Sequence, residues 1–195
     1  MPLYKMDGKL ALFVHVPKAG GTTIEFCLAR YCVGFLDREF RPGVFPCSPQ
    51  HFHGKMIEQL FNVKELDYIF MTVRHPVSRL KSEYKWRRRF FKLETEFNEW
   101  LVSSLAAFQK NNFVYDNHLR PMVDFLLPSA EVFKLEDGLS AVTARLEALI
   151  PGTKLALSPR HEMSSGDAPE NLVLSKDALS LVENIYREDF DRFGY

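Results

Sequence analysis

Two short apolar runs, residues 10–16 (LALFVHV) and 68–73 (YIFMTV), each stop abruptly at a turn and are each followed by a helical pattern. A run apolar at nearly every position is buried on both faces, the condition of a strand inside a parallel sheet. The first ends in Pro17-Lys18-Ala19-Gly20-Gly21, and a helix is expected over 22–31 with Ile24, Leu28 and Tyr31 on one side. The second ends in Arg74-His75-Pro76. Proline suits the first turn of a helix, and Val77, Leu80, Tyr84 and Phe91 continue an apolar face beyond it. Residues 131–135 (EVFKL) are expected to form a third strand, and residues 34–50, without periodicity, a loop. Further helices are expected over 55–61, 97–108 and 139–150. Ser175 should cap a last one whose inner face carries Leu179, Val182, Ile185, Tyr186 and Phe190. Strand, turn and helix in alternation specify an α/β domain with a central parallel sheet flanked by helices. With no repeat, linker or low-complexity tract in 195 residues, a single domain over 1–195 is expected.

Composition narrows the function classes. Lys+Arg and Asp+Glu both number 25, so no overall charge draws the chain to nucleic acid or a membrane surface, and any electrostatic function is local. Cys27, Cys32 and Cys47 form no CxxC pair and are odd in number, which argues against a disulfide framework or a zinc site. That usage fits a reducing compartment, and a cytoplasmic location is expected. No apolar run reaches the roughly 18 residues of a membrane span. The stretch from Leu10 to Pro17 is short for a signal peptide and is broken by His15. His15 itself reads as a satisfied core histidine, and Trp86 and Trp100 as core aromatics.

Chemistry concentrates at the two strand ends. In Lys18-Ala19-Gly20-Gly21-Thr22-Thr23, two glycines permit a tight turn whose N–H groups converge on an anion, backed by the positive end of a helix. Lys18 precedes the glycines, whereas a nucleotide triphosphatase loop places its lysine after them, and no acidic residue ends the second strand to hold magnesium. Arg74 stands instead at that strand end, where open α/β sheets bind ligands, and Ser82 two helical turns on can face the same way. A guanidinium and a hydroxyl suit a second phosphate. Two separate anion sites imply a nucleotide phosphorylated at two positions.

The combination of PKAGGTT with a strand followed by RHPxxRxxS resembles the sulfotransferase family that uses 3′-phosphoadenosine 5′-phosphosulfate (PAPS), closest to small bacterial relatives of carbohydrate sulfotransferases. The resemblance continues through HLRP (118–121), VFKLE (132–136) and the ending YREDFDRFGY (186–195). It implies a P-loop-like three-layer fold. It also implies PAPS as donor with adenosine 3′,5′-bisphosphate (PAP) as product, no metal, and a hydroxyl acceptor, a glycan or glycolipid. By position, Ala19, Gly20, Gly21, Thr22 and Thr23 would hold the 5′-phosphate and Arg74 and Ser82 the 3′-phosphate. Lys18 would neutralise the leaving oxygen, and Ser164 and Ser165 would belong to a late loop over the nucleotide.

An acceptor hydroxyl needs a base, and Gln50-His51-Phe52-His53 lies in the segment where similar enzymes place a catalytic histidine. If the segment is extended, His51 and His53 face one side, so either can serve; His53 aligns better with the family position. No carboxylate or third ligand stands beside them in sequence, which makes a metal pair weak. His118 and Arg120 either line the acceptor cleft or brace the turn before Pro121, and Arg88 in the run Arg87-Arg88-Arg89 either steers an anionic acceptor or is a solvated face. Two other classes remain as readings of the sequence, a P-loop kinase and a non-catalytic nucleotide- or glycan-binding module.

Overall fold

Asp7 and Gly8 both adopt positive φ (48° and 80°), and the tight turn they make folds the start of the chain into a hairpin. Strand β1 (Pro2–Met6) runs antiparallel to β2 (Lys9–Val14), with Met6 opposite Lys9. The computed structural model describes residues 2–35, 44–151, 154–155 and 172–195. Helix α1 (Gly21–Leu28) and a short 3-10 turn follow β2, and β3 (Cys32–Phe35) returns to pair antiparallel with β1. After α2 (Gly54–Leu60), β4 (Tyr68–Val73) lies parallel beside β2. Helices α3 (Pro76–Phe91) and α4 (Phe97–Lys110) precede β5 (Glu131–Lys134), which is parallel to β4. Helices α5 (Ser140–Leu149), α6 (Lys176–Ile185) and α7 (Arg187–Phe193) complete the described chain.

The sheet order is β3-β1-β2-β4-β5. The expected wholly parallel sheet is therefore mixed: only β2, β4 and β5 run together, and the hairpin adds an antiparallel half. Its signal, Asp-Gly between alternating residues, stands in the sequence just before the first expected strand. The expected loop over 34–50 overlaps the end of β3 and contains a 3-10 turn at Pro49–His51. The expected single last helix breaks at Tyr186 into α6 and α7, and Leu179 is exposed rather than inward. Ser175 does cap α6, its Oγ accepting from Ala178 N at 3.2 Å.

Period-two burial positions the layers. Leu12 and Val14 of β2 with Met71 and Val73 of β4 pack on Phe52, Ile57 of α2 and Phe193 of α7. Ala11, Phe13 and Phe70 face the opposite way, onto Ile24 and Leu28 of α1 and Val142 and Leu146 of α5. Helices thus cover both faces of the sheet. A third cluster joins α3, α4 and α6 through Leu80, Tyr84, Trp100, Leu105, Val182 and Tyr186. Among the described residues no helix is long and apolar enough to cross a membrane.

Candidate active site

Because β2 and β4 are parallel neighbours, the segments leaving their C-terminal ends open into the same region. After β2 the chain turns with Lys18 at φ 65° and Gly20 at φ 85°, both left-handed. Gly20 then caps α1 without a side chain, and its carbonyl accepts from Thr23 N at 3.2 Å. Gly21 is required by contact: a Cβ there would come within 2.7–2.9 Å of the His15 ring. Ala19 is fully buried, and Thr22 and Thr23 are half-buried at the opening of α1. The Lys18 ammonium lies 5.0 Å from the centroid of the Trp86 ring.

Arg74 follows β4 directly and reaches back to this loop, its Nη1 donating to the Lys18 carbonyl at 3.4 Å. Burial lowers the Arg74 guanidinium from its ordinary value, against the pull of Glu136. Glu136 also accepts from His75 N (2.8 Å) and the Tyr195 hydroxyl (3.0 Å), tying the β4 end to the end of the chain. Ser82 lies half-buried on α3, the helix that starts two residues after Arg74.

Beside these two strand ends the fold collects three histidines, each held at Nδ1 by a carboxylate. His15 pairs with Glu25 at 2.6 Å, His51 with Asp116 at 2.8 Å and His118 with Glu83 at 2.7 Å. The His51 ring centroid lies 5.4 Å from that of His15 and 4.7 Å from that of His118. The loop supplying Asp116 and His118 is unusual: Tyr115, Asp116 and Asn117 all have positive φ. L-residues reach that region at a cost of roughly 1–2 kcal/mol each, and hydrogen bonds offset it. Asn117 Nδ2 donates to the His51 carbonyl at 2.7 Å, and the buried Arg79 of α3 donates to the carbonyls of His118 (2.9 Å) and Arg120 (2.8 Å).

The electrostatics separate the histidines. Burial pushes the His51 imidazolium down to about 3, only partly resisted by Asp116, so His51 is neutral and donates Nδ1–H to an ionised carboxylate. Burial works to raise Asp116, but His51 and Ser48 outweigh it and hold it at about 2. Burial likewise opposes ionisation of Glu83, yet His118, Arg87 and Lys18 bring it to about 2. Donor atoms of His51, Asp116 and His118 lie within 4.8 Å of one another, so the carboxylate and third ligand absent beside His51 in sequence come from the 115–118 loop. His51 Nδ1 bonds Asp116 Oδ2, and His118 Nδ1 bonds Glu83 Oε2.

The remaining expected site residues are placed as follows. His53 precedes α2 with its ring 5.9 Å from Phe113, its Nδ1 buried without a partner among the described residues, and burial with Arg120 lowers it to about 4. Arg120 is a brace: it is buried, bonds Asn117 Oδ1 (2.6 Å) and Asp124 Oδ2 (2.9 Å), and stacks over Phe113. Arg88 lies half-buried along α3 with Nη1 3.4 Å from the Tyr84 hydroxyl. Its neighbour Arg87 is bound to Glu83 at 2.7 Å and covers the Tyr115 ring. Ser164 and Ser165 lie outside the described residues. His15 is buried and bonded, as expected of a core histidine, while Trp86 is half-buried with the Lys18 ammonium over its ring. Glu25, Glu83 and Asp116 were not singled out in the sequence; the one local signal is Arg79, Glu83 and Arg87 at four-residue spacing on one helical face.

The family model described as the sulfotransferase family matches residues 6–195. No curated protein and no solved structure gives a match to the chain. The match spans the hairpin turn, both strand ends and all the histidines collected there, and on that ground the chain belongs to the sulfotransferase family.

Proposed function

We propose that the protein transfers the sulfuryl group of PAPS to an acceptor hydroxyl, that of a carbohydrate, by in-line displacement. The observation that supports this reading is the bond from Arg74 to the Lys18 carbonyl, which sets side by side the two strand ends that this reading assigns to the donor's phosphates. A donor with phosphates on both the 3′ and 5′ positions requires two such sites at nucleotide spacing. In this reading Gly20, Gly21, Thr22 and Thr23 hold the 5′-phosphate, and Arg74 with Ser82 holds the 3′-phosphate. Lys18 neutralises charge on the bridging oxygen as sulfur leaves it, so catalysis rests on positioning and charge stabilisation. A histidine takes the acceptor proton. Of the pair put forward by the sequence, His51 has an orienting carboxylate, and His53 has none among the described residues.

The carbohydrate acceptor is supported by α3. Its last turns present Phe90 and Phe91, 51% and 62% exposed, together with Arg88 and Arg89 beyond Trp86. Aromatic rings accept the apolar face of a pyranose, and the arginines suit anionic groups on it.

Calorimetric titration of the purified chain with PAP, AMP and Mg–ATP tests the donor. The bisphosphate should bind tightest, and Arg74→Ala should weaken it at least tenfold while leaving AMP nearly unchanged. Equal binding of PAP and AMP would overturn the reading, and magnesium-dependent preference for ATP would point to a kinase.

A further inference from the structure

We infer that Glu136, its two oxygens held by His75 and Tyr195, is a positioning residue for Arg74. It sets a fixed negative charge near the guanidinium without pairing with it, and so leaves Arg74 open to the 3′-phosphate. This inference rests on the sulfuryl-transfer reading, which places that phosphate at Arg74.

Topology brings Glu136 to this place. Strands β4 and β5 are parallel, with Val73 opposite Lys134, so the segments just past them, Arg74-His75 and Leu135-Glu136, leave the sheet side by side. Glu136 stands in the 3-10 turn Leu135–Asp137, with both carboxylate oxygens engaged. Oε1 accepts from His75 N at 2.8 Å, and Oε2 accepts from the Tyr195 hydroxyl at 3.0 Å. The last turn of the fold delivers that hydroxyl. Gly194 takes a left-handed φ of 64°, and Tyr195 N donates to the Phe190 carbonyl at 3.1 Å. The Tyr195 ring then lies edge-on to His75, centroids 5.3 Å apart, with the Lys134 ammonium 4.6 Å from its centroid.

Arg74 feels this carboxylate but is not bonded to it. Among the described residues the guanidinium makes one hydrogen bond, 3.4 Å to the Lys18 carbonyl, and no ion pair with Glu136. Burial lowers the Arg74 guanidinium, and Glu136 is the foremost group opposing that fall. Burial works to raise Glu136, and the bonds from His75 and Tyr195, with the charge of Arg74, outweigh it. The rigid fork of a guanidinium matches a carboxylate as well as a phosphate. A carboxylate with an unbonded edge beside Arg74 would close on that fork and compete with the ligand. One whose oxygens are already bonded supplies countercharge alone, which favours the charged guanidinium in its half-buried position. Glu136 itself is exposed, so its Coulombic pull is screened and the aim of its oxygens matters more than its charge. Tyr195 is thus the latch, and Glu136 acts through Arg74.

A double-mutant cycle tests this, with PAP and AMP titrated calorimetrically and the urea midpoint recorded for each variant. The ratio of PAP to AMP affinity isolates the 3′-phosphate. Tyr195→Phe frees Glu136 Oε2 and should weaken PAP about tenfold, the worth of one competing charge-assisted bond, with AMP unchanged. Glu136→Gln leaves no competing charge, so adding it to Tyr195→Phe should bring PAP affinity back to within about threefold of Glu136→Gln alone. A merely structural latch would make the double variant at least as weak as Tyr195→Phe, and that result would overturn the inference. So would parental PAP affinity in Tyr195→Phe, or a loss shared equally by PAP and AMP. In each of these cases a parent that prefers PAP leaves the donor reading standing. A parent that binds PAP and AMP equally would sink both.

Discussion

At the scale of single residues, the Gly-rich turn is governed by contact as well as by backbone freedom. Gly20 needs its left-handed φ of 85°, while Gly21 needs the space that the His15 ring leaves it. Gly21→Ala should therefore cost about 1–3 kcal/mol, the usual penalty for forcing an atom into a packed site, and weaken PAP binding. Urea denaturation and calorimetry check both. The titrating groups make a second prediction. In the unfolded chain His51 takes a proton near pH 6.5, in the folded one only near 3, so the unfolded state binds more protons between these values and stability falls on acidification from about 6.5. Glu83 and Asp116, held at about 2 against ordinary values near 4, act with the same sign below pH 4. The urea midpoint should drop from pH 7 to 5, and less so in His51→Gln; a flat midpoint in the parent would contradict a buried neutral His51.

Among the elements, α3 does the most to organise the site. It begins two residues after Arg74 and projects Arg79, Glu83, Trp86 and Arg87 toward the 115–120 loop. Arg79 is 1% exposed, and its two bonds to backbone carbonyls hold a loop of left-handed residues in place. Arg79→Met should cost roughly 3 kcal/mol, because two buried carbonyls lose a charged donor. Ser175→Ala, which removes only the cap of α6, should cost about 1 kcal/mol. Chemical denaturation of the two variants side by side tests the ranking, and equal losses would mean that Arg79 is not the clamp its geometry describes.

For the whole molecule, the two ends of the chain close the architecture. The N-terminal hairpin converts a parallel sheet into a mixed one, and α7 seals the face beneath β4. Asp189, fully buried, accepts from Met122 N at 2.9 Å and Val123 N at 2.8 Å, opening the 3-10 turn Met122–Phe125. Lys134 donates to the Gly194 carbonyl at 2.9 Å, and Tyr195 to Glu136 at 3.0 Å. Removal of residues 187–195 should abolish the cooperative thermal transition, followed by circular dichroism, since it uncaps buried N–H groups and strips Phe193 from the core.

Strand β4, the helix behind Pro76 and the glycine turn were legible in the sequence because each is written within a few neighbouring residues. Apolar runs, proline and paired glycines act locally, whatever the rest of the chain does. The hairpin was not among the expected elements, although its turn, Asp7-Gly8, is equally local. The neighbouring strand ends at Lys18 and Arg74 were legible for the same reason: parallel strands put their C-terminal ends together by topology. The histidine partners were not. His51 meets Asp116 across 65 residues and His118 meets Glu83 across 35, pairings that exist only once the crossovers and the left-handed loop are built. The sequence alone determined that a Gly-rich turn and an arginine stand at the ends of two apolar strands; only the tertiary structure decided which carboxylate each histidine meets, because orientation at that distance is set by packing, not by periodicity.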